Sequence, residues 1–214
     1  MRDDLTVLYA DAALLILDKP SGLLSVPGRG EGKQDCLSAR ARCRYPDALV
    51  VHRLDMATSG LMLMARGAAV QGVLNQAFAS RSVTKRYVAI VDGKLAQSQP
   101  SWGLIDLPIS VDWPNRPRRI IDHELGKPST TRWRVLSHNE ADDTTRVELE
   151  PVTGRSHQLR VHLLALGHAI VGDALYASPR LQAMSQRLLL HACSLEICHP
   201  VSAQPMCFFS TALF

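Results

Sequence analysis

The short apolar runs of this chain, each ended by proline, glycine or charged residues, constrain its fold most. Examples are "LLILDKP", which ends at Pro20, "GLMLMAR" over residues 60–66, and "RYVAIVDG" over residues 86–93. Apolar runs of this length between such breaks are typical of buried β-strands. The longest of them fall far short of the roughly 20 residues that a membrane-spanning helix needs. The sequence therefore predicts a sheet-rich globular protein without a membrane span.

Three segments between these runs have the spacing of helices. They are "CLSARARCR", which stops before Pro46, the amphipathic "AAVQGVLNQAFASR", and "SHQLRVHLLALG". In the last segment Ser156 is a candidate N-cap, and Gly167 can end the helix in the left-handed conformation. No repeat, low-complexity tract or break in composition divides the chain. We therefore predict one α+β domain over residues 1–214, with a mixed, mostly antiparallel sheet and flanking helices.

The cysteines, the histidines and the N-terminus limit the chemistry and the compartment. The five cysteines form no CxxC pair, and their odd number is a poor disulfide framework, so we expect reduced thiols. His157 and His162 lie five residues apart, one more than in the helical zinc-binding pair, and we expect no metal site. The N-terminus carries the acidic residues Asp3 and Asp4 where a signal peptide needs a basic start. These features predict a cytoplasmic protein.

The distribution of charge favours a nucleic-acid partner. The net charge is only +4 and the pI about 8.9. Arginine and lysine nevertheless concentrate in "SARARCRYP", "ASRSVTKRY", "DWPNRPRR" and "GRSHQLRVH". Each cluster alone is compatible with an ordinary solvated surface, but on one face they would form a track for a phosphate backbone. We select Arg116, Arg118 and Arg119 of "DWPNRPRR" as candidate RNA contacts.

A polar motif interrupts the apolar sequence in "LVVHRLDMATSG", residues 49–60. Asp55 lies there between two apolar runs, in a loop that the following Thr-Ser-Gly can turn sharply. A carboxylate held by rigid strands suits nucleophilic or general-base chemistry, although an aspartate that only tightens a turn has the same pattern. A partly buried carboxylate needs a cationic partner. Arg155 and Arg160 of "PVTGRSHQLRVH" are candidates, and both could instead contact phosphates or have no role.

Five ordered motifs together resemble the RluA family of pseudouridine synthases over nearly the whole chain. They are "LLILDKPSGLLSVPG", "HRLDMATSGLMLMA", "KRYVAIV", "TGRSHQLRVHLLALGHAIVGD" and "RLLLHA". The resemblance implies the pseudouridine synthase catalytic fold and the isomerisation of uridine to pseudouridine in RNA. It also implies that the reaction needs no cofactor, because it involves neither net redox change nor hydrolysis.

The resemblance assigns roles to individual positions. Asp55 would be the catalytic aspartate and Arg155 the arginine that pairs with it. Tyr87, in "KRYVAIV", would lie against the target base and help to remove the C5 proton. Arg53 would displace the target nucleotide and fill its space, as chemistry on a stacked base requires. His52 would bind the substrate or only support the loop, and Arg160 would be a further substrate contact.

The resemblance also implies the kind of RNA. Several family members have an N-terminal S4-like domain, whereas the motifs here begin within the first twenty residues, so we expect no S4 domain. The expected substrates are hairpin loops of 23S rRNA and tRNA, at position 746 and at position 32 of the anticodon loop respectively, bound by a monomer. Two alternatives remain open: an RNA N-ribosyl hydrolase, which would want a second carboxylate near Asp55, and a non-catalytic RNA-binding or ribosome-assembly protein.

Overall fold

β-Strands form where the sequence has its apolar runs, and helices occur between them along the chain. The computed structural model describes residues 5–96 and 102–214. Its strands are β1 (Thr6–Ala10), β2 (Leu14–Lys19), β3 (Ala48–Val50), β4 (Ser59–Arg66), β5 (Thr84–Asp92), β6 (Gly103–Asp106), β7 (Ile109–Val111), β8 (Arg119–Ile121), β9 (Thr130–Asn139), β10 (Thr144–Pro151), β11 (Leu190–Cys198) and β12 (Pro205–Phe209). Its helices are α1 (Leu37–Arg44), α2 (Ala68–Ala79), α3 (Gln158–Ala165) and α4 (Pro179–Ala183), with a 3₁₀ turn at Glu31–Lys33.

The residue contacts divide the chain into two compact units. Unit 1 takes the residues up to Lys85 together with His191–Leu213, and unit 2 takes Arg86–Leu190 with Phe214. Each unit is described by itself below. The single catalytic domain over residues 1–214 stays a prediction.

The sheet of unit 1 is built around β4. This strand pairs antiparallel with β2 and β3 and parallel with β11, while β1 pairs antiparallel with β2 and β12 with β11. Residues 14–17 of β2 and 61–65 of β4 are at most 2% exposed. Because both faces of these strands are buried, their sequences are uninterrupted apolar runs rather than alternating ones. Leu37 and Ala41 of α1 pack against one of these faces.

Gly60, the last residue of the "LVVHRLDMATSG" motif, lies where only a glycine fits. Its φ of +107° lies in a region that favours glycine, and an added Cβ would lie 2.3 Å from the backbone oxygen of Ala192. This contact belongs to the parallel pair, in which Gly60 is opposite Ala192 and Ser59 opposite His191. The glycine therefore permits the close approach of β4 and β11.

Unit 2 contains an antiparallel sheet in the order β5-β10-β9-β6. The strands β7 and β8 form a separate antiparallel hairpin. Helix α3 contributes Val161 to a small core cluster with Ile109 of β7 and Tyr176, against which Ile121 of β8 also packs. The hairpin is therefore fixed to the helix that follows the "GRSHQ" motif.

Most of the predicted elements are confirmed. The three predicted helices correspond to α1, α2 and α3, and Gly167 follows α3 with a φ of +85°. Predominantly antiparallel pairing with interspersed helices confirms the α+β class. Within residues 5–96 and 102–214, no helix is both long and apolar enough to cross a membrane.

The predicted N-cap at Ser156 is wrong. Helix α3 begins at Gln158, so the N-cap position falls on His157, which has a left-handed φ of +57°. The side chain of Gln158 reaches back instead and accepts a hydrogen bond from the backbone N–H of Arg155 at 3.0 Å. Helix α4 was not predicted, although Ser178 followed by Pro179 is a typical N-cap and N1 pair.

Candidate active site

Asp55 lies in the irregular segment between β3 and β4, residues 51–58, which we call the aspartate loop. Side chains along this loop alternate in exposure. Leu54 is buried at 6% exposure, Asp55 is half-buried, and Arg53 and Met56 are exposed. The buried leucine anchors the loop, so the charged residues on either side of it are presented at the surface of unit 1.

The backbone of Leu54 is held by Ser25. The buried Ser25 hydroxyl accepts a hydrogen bond from the Leu54 N–H at 3.1 Å and donates one to the Leu54 carbonyl oxygen at 2.7 Å. Both backbone groups of the residue before Asp55 are thereby satisfied. A single serine thus fixes the peptide groups on both sides of that leucine.

Lys19 holds the other side of the loop. Its side chain is fully buried, and Nζ donates to the carbonyl oxygens of Pro20 at 2.9 Å, Leu23 at 2.8 Å and Met56 at 3.0 Å. A buried ammonium is costly unless its protons are satisfied, and three carbonyl dipoles satisfy this one. The lysine of "LLILDKP" is therefore structural, although in the sequence it marks only the end of a strand.

Two further bonds complete this arrangement. The Gly22 N–H donates to the Met56 carbonyl at 2.8 Å, and the Ser21 hydroxyl donates to the Ala57 carbonyl at 2.7 Å. We call residues 19–25 the loop brace, because they make five hydrogen bonds to residues 54–57. The brace holds the backbone on both sides of Asp55, which is the rigidity that a positioned carboxylate requires.

His52 faces the protein. Its Nε2 accepts a hydrogen bond from the Leu63 N–H of β4 at 2.9 Å, and its ring stacks on Phe78 of α2 at 4.7 Å. Burial, and secondarily the positive charge of Lys85, lower the pKa of His52 to about 3. The ring is therefore neutral near neutral pH and remains an acceptor. Of the two roles expected for His52, these contacts favour support of the loop.

A second network holds the start of β4. His191 of β11 lies with Nδ1 2.8 Å from the Ser59 hydroxyl and Nε2 3.0 Å from the Ser210 hydroxyl, which in turn donates to Asp18 at 2.7 Å. Because the Ser210 proton goes to Asp18, the histidine donates from Nε2 to the Ser210 oxygen. The histidine of "RLLLHA" therefore links the residue after the aspartate loop to the C-terminal segment.

In unit 2, Arg155 is exposed on a backbone that Gln158 holds. The buried Gln158 amide accepts from the Arg155 N–H at 3.0 Å and from the Thr153 hydroxyl at 2.7 Å, and it donates to the Thr130 carbonyl at 2.9 Å and the Thr131 hydroxyl at 3.0 Å. Four hydrogen bonds satisfy this amide fully. Gln158 therefore positions Arg155 while its own side chain stays in the core.

Arg160 belongs to the core of unit 2. It is 4% exposed, and its Nε and Nη2 form a bidentate pair with Asp173 at 2.7 and 2.6 Å. Its guanidinium also lies 4.9 Å from the ring centre of Tyr176. A side chain so buried has little surface to offer a phosphate, so we assign Arg160 to the fold rather than to substrate contact.

Tyr176 connects the "GRSHQ" segment with the β7–β8 hairpin. Its hydroxyl accepts from the Arg119 N–H at 2.7 Å and lies 2.7 Å from His157 Nδ1. Arg118 lies over its ring at 5.5 Å. Among the predicted RNA contacts, Arg116 is exposed and Arg118 and Arg119 are half-buried. One tyrosine thus ties Arg118 and Arg119 to the segment that carries Arg155.

Tyr87 lies on β5, opposite Leu149 of β10, and is 9% exposed. Its predicted contact with the target base stays a prediction. In the described residues, no group of three or more histidine, cysteine or acidic side chains could hold a metal ion.

Comparison with known proteins identifies the family. A sequence model of RNA pseudouridylate synthases matches residues 13–165, which run through both units. The chain is 50% identical over 210 residues to the dual-specificity RNA pseudouridine synthase RluA of Escherichia coli K12, covering 98% of this chain and 94% of that protein. The chain belongs to the RNA pseudouridylate synthase family. It is also 49% identical over 208 residues to RluA of Yersinia pestis, covering 97% of this chain and 99% of the relative.

A solved structure agrees with the family. Human RNA pseudouridylate synthase domain containing 1 superposes with a TM-score of 0.79 at 30% identity, covering 98% of this chain and 84% of that one. The predicted RluA-family resemblance and synthase fold are confirmed. The protein is therefore a pseudouridine synthase, an isomerase that acts on RNA. This finding rules out the hydrolase and the non-catalytic alternatives.

Proposed function

We propose that Asp55 is the catalytic residue of this pseudouridine synthase. The observation that supports it is the loop brace, which fixes the backbone on both sides of Asp55 and leaves its side chain only partly buried. In the proposed reaction Asp55 acts on the target nucleoside as nucleophile or as general base at the ribose while the N1 glycosidic bond breaks. The uracil then turns, C5 forms the new bond to the ribose, and the C5 proton is released as N1 gains one.

Arg53 is the proposed partner of the extruded nucleotide. It is exposed two residues before Asp55, on the same braced loop. Chemistry on a base requires the nucleotide to leave its stack, and a planar guanidinium can replace the lost stacking. Arg155 and Tyr87 complete the proposal, Arg155 as the cation that acts with Asp55 and Tyr87 as the aromatic residue at the target base.

The proposed substrates are hairpin loops of 23S rRNA and tRNA, modified by a monomer in the cytoplasm. The relatives at 49–50% identity are named dual-specificity RNA pseudouridine synthases, which supports two RNA substrates for this chain as well. Arg116, Arg118 and Arg119 on the hairpin would contact phosphates, where a positive charge adds affinity without reading sequence.

Tritium release tests the role of Asp55. RNA labelled at C5 of uridine loses its tritium to water when C5 forms the new bond, and the chain stays intact. We expect Asp55→Asn to abolish release while RNA affinity changes by less than about twofold, because the substitution leaves the phosphate contacts in place. Asp47→Asn, an exposed carboxylate of unit 1 that pairs with Arg66, is the matched control and should keep full activity. Near-normal turnover by Asp55→Asn would refute the assignment.

Two further measurements test the remaining assignments. Arg155→Ala should reduce turnover with the RNA affinity nearly unchanged. If Arg155 only bound phosphate, the variant would instead have a weaker RNA affinity.

Pseudouridine mapping in tRNA and 23S rRNA from cells with and without the gene tests the substrates. Loss of the modification from only one RNA class would contradict dual specificity.

A further inference from the structure

The β7–β8 hairpin presents an exposed aromatic side chain among arginines. Trp113, in the turn between the two strands, is 66% exposed. The Arg116 guanidinium lies 4.7 Å from its ring centre, yet most of the tryptophan still faces solvent. Large aromatic side chains are normally buried, so an exposed one held beside a cation indicates a binding surface.

The turn that carries Trp113 is internally bonded. The Asp112 carboxylate accepts hydrogen bonds from the side chain of Asn115 at 3.0 Å and from its backbone N–H at 3.3 Å. Backbone bonds join Asp112 to Arg118 at 3.1 Å and Arg118 to Asn115 at 3.0 Å. A turn with this many internal bonds holds its tip in a defined conformation before any ligand arrives, which lowers the entropic cost of binding.

The base of the hairpin is anchored in unit 2. Ile109 and Ile121 pack with Val161 of α3 and with Tyr176, whose hydroxyl accepts from the Arg119 N–H at 2.7 Å. The same hydroxyl lies 2.7 Å from His157, two residues after Arg155. Trp113 is therefore presented on a rigid arm that is tied to the "GRSHQ" segment.

We propose that Trp113 is a stacking platform for an unpaired base of the RNA substrate, with Arg116 beside it as a phosphate contact. The proposal rests on the proposed function, since it takes RNA as the partner. Residues 112–119 carry three arginines against one aspartate, whose carboxylate is engaged by Asn115, so the local charge suits a polyanion. Stacking on a tryptophan face tolerates any base, which fits an enzyme that accepts more than one RNA.

Binding measurements with two RNAs test the platform. The probes are an RNA hairpin with tritiated uridines in its unpaired loop and a blunt duplex of the same length. We expect Trp113→Ala to weaken hairpin binding about 10-fold and to raise KM with kcat nearly unchanged, whereas Trp113→Phe should stay within about 3-fold of wild type, because it keeps an aromatic face. Duplex binding should change little in either variant. Phe209→Ala, an equally exposed aromatic residue of unit 1 at 73%, is the matched control and should bind both RNAs normally.

Tryptophan fluorescence provides a second readout. Hairpin RNA should quench the wild-type emission, and Trp113→Phe should lose most of the quenching while Trp102 and Trp133 remain. Wild-type hairpin affinity in Trp113→Ala, or full quenching in Trp113→Phe, would overturn the proposal. Absence of tritium release by the wild-type enzyme would instead refute the proposed function, so the two failures are distinguishable.

Discussion

The aspartate loop in unit 1 and the "GRSHQ" segment in unit 2 both fix the backbone of a charged residue, but through different contacts. Each presents a charged side chain, Asp55 or Arg155, on a backbone fixed by buried polar groups. The loop is held from outside its own motif, by residues that precede it by about thirty positions. The segment is held mainly from within, by Gln158, which lies three residues after Arg155.

The buried cations of the two regions also differ. Lys19 supports the loop through carbonyl dipoles, whereas Arg160, five residues after Arg155, is matched by the full charge of Asp173. Removal of either cation takes a charged donor from buried oxygens, but a buried carboxylate that loses its counter-ion is costlier than carbonyl oxygens that lose a donor. We therefore predict that loss of the buried cation lowers the free energy of unfolding more in unit 2 than in unit 1. Activity, in contrast, should depend more on the loop brace of unit 1.

Arg160→Met should have the largest effect on stability. It removes the cation from the fully buried Asp173 carboxylate, which keeps the N–H groups of Leu175 and Tyr176 as donors, and we expect the free energy of unfolding to fall by about 3–5 kcal/mol. Urea unfolding followed by circular dichroism measures the change. Arg132→Met, which breaks the exposed pair with Glu150, is the control and should cost less than about 1 kcal/mol. Equal losses in the two variants would show that burial of the Arg160 pair has no energetic consequence.

Lys19→Met should have the next largest effect. Three carbonyl oxygens lose a charged donor, and we expect a loss of about 2–3 kcal/mol together with a fall in kcat, because the Met56 carbonyl next to Asp55 keeps the Gly22 N–H but loses the ammonium. RNA affinity should stay near the wild-type value. Lys94→Met, which removes an exposed lysine, is the control for charge. A stable variant with unchanged kcat would contradict a bracing role for Lys19.

The same contrast explains what the sequence could predict. Strand positions, the three main helices and the α+β class follow from local apolar patterns. The spacing of apolar residues within a short segment and the length of each run are enough to distinguish a strand from a helix. Asp55 could be selected because a charged residue between apolar runs is unusual, Arg155 was one of two candidate cations for it, and the family resemblance gave both residues roles. Gln158 is close enough to Arg155 to have been recognised as a capping side chain.

Long-range partners could not be predicted in this way. Nothing local distinguishes Lys19 in "LDKP" from a lysine at a strand end, since its acceptor at Met56 is 37 residues away. Arg160 and Arg155 share one motif and one residue type, yet only the fold shows that the first faces Asp173 in the core and the second faces solvent. Pairing across long separations depends on topology, which local patterns do not contain.

Ser25→Ala should have a smaller effect within the brace. The substitution removes the donor and the acceptor that satisfy the buried peptide groups of Leu54, and we expect a loss of about 1–2 kcal/mol. Turnover should fall less than in Lys19→Met, because the Met56 carbonyl keeps its own donors. Ser80→Ala, at an exposed position after α2, is the control in the same stability and tritium assays. A larger activity loss in Ser25→Ala than in Lys19→Met would reverse the proposed importance of the two contacts.

His52→Asn should change stability least at neutral pH, and its signature is the pH dependence. The fold lowers the pKa of His52 from 6.5 to about 3, so protonation favours the unfolded chain. The stabilising contribution is complete above pH 6.5 and is lost as the pH falls toward 3. We expect a cost of about 0.5–1 kcal/mol at pH 7, from the lost bond to Leu63, and a flatter decline in stability between pH 6.5 and 5 than in wild type. Because burial also lowers the pKa of His162 in unit 2, His162→Asn should likewise flatten the decline in stability below pH 6.5, and the two effects should add in the double variant. Urea unfolding at several pH values measures how the free energy of unfolding changes with pH in each variant. An unchanged slope in His52→Asn would show that the folded protein does not keep the His52 ring neutral.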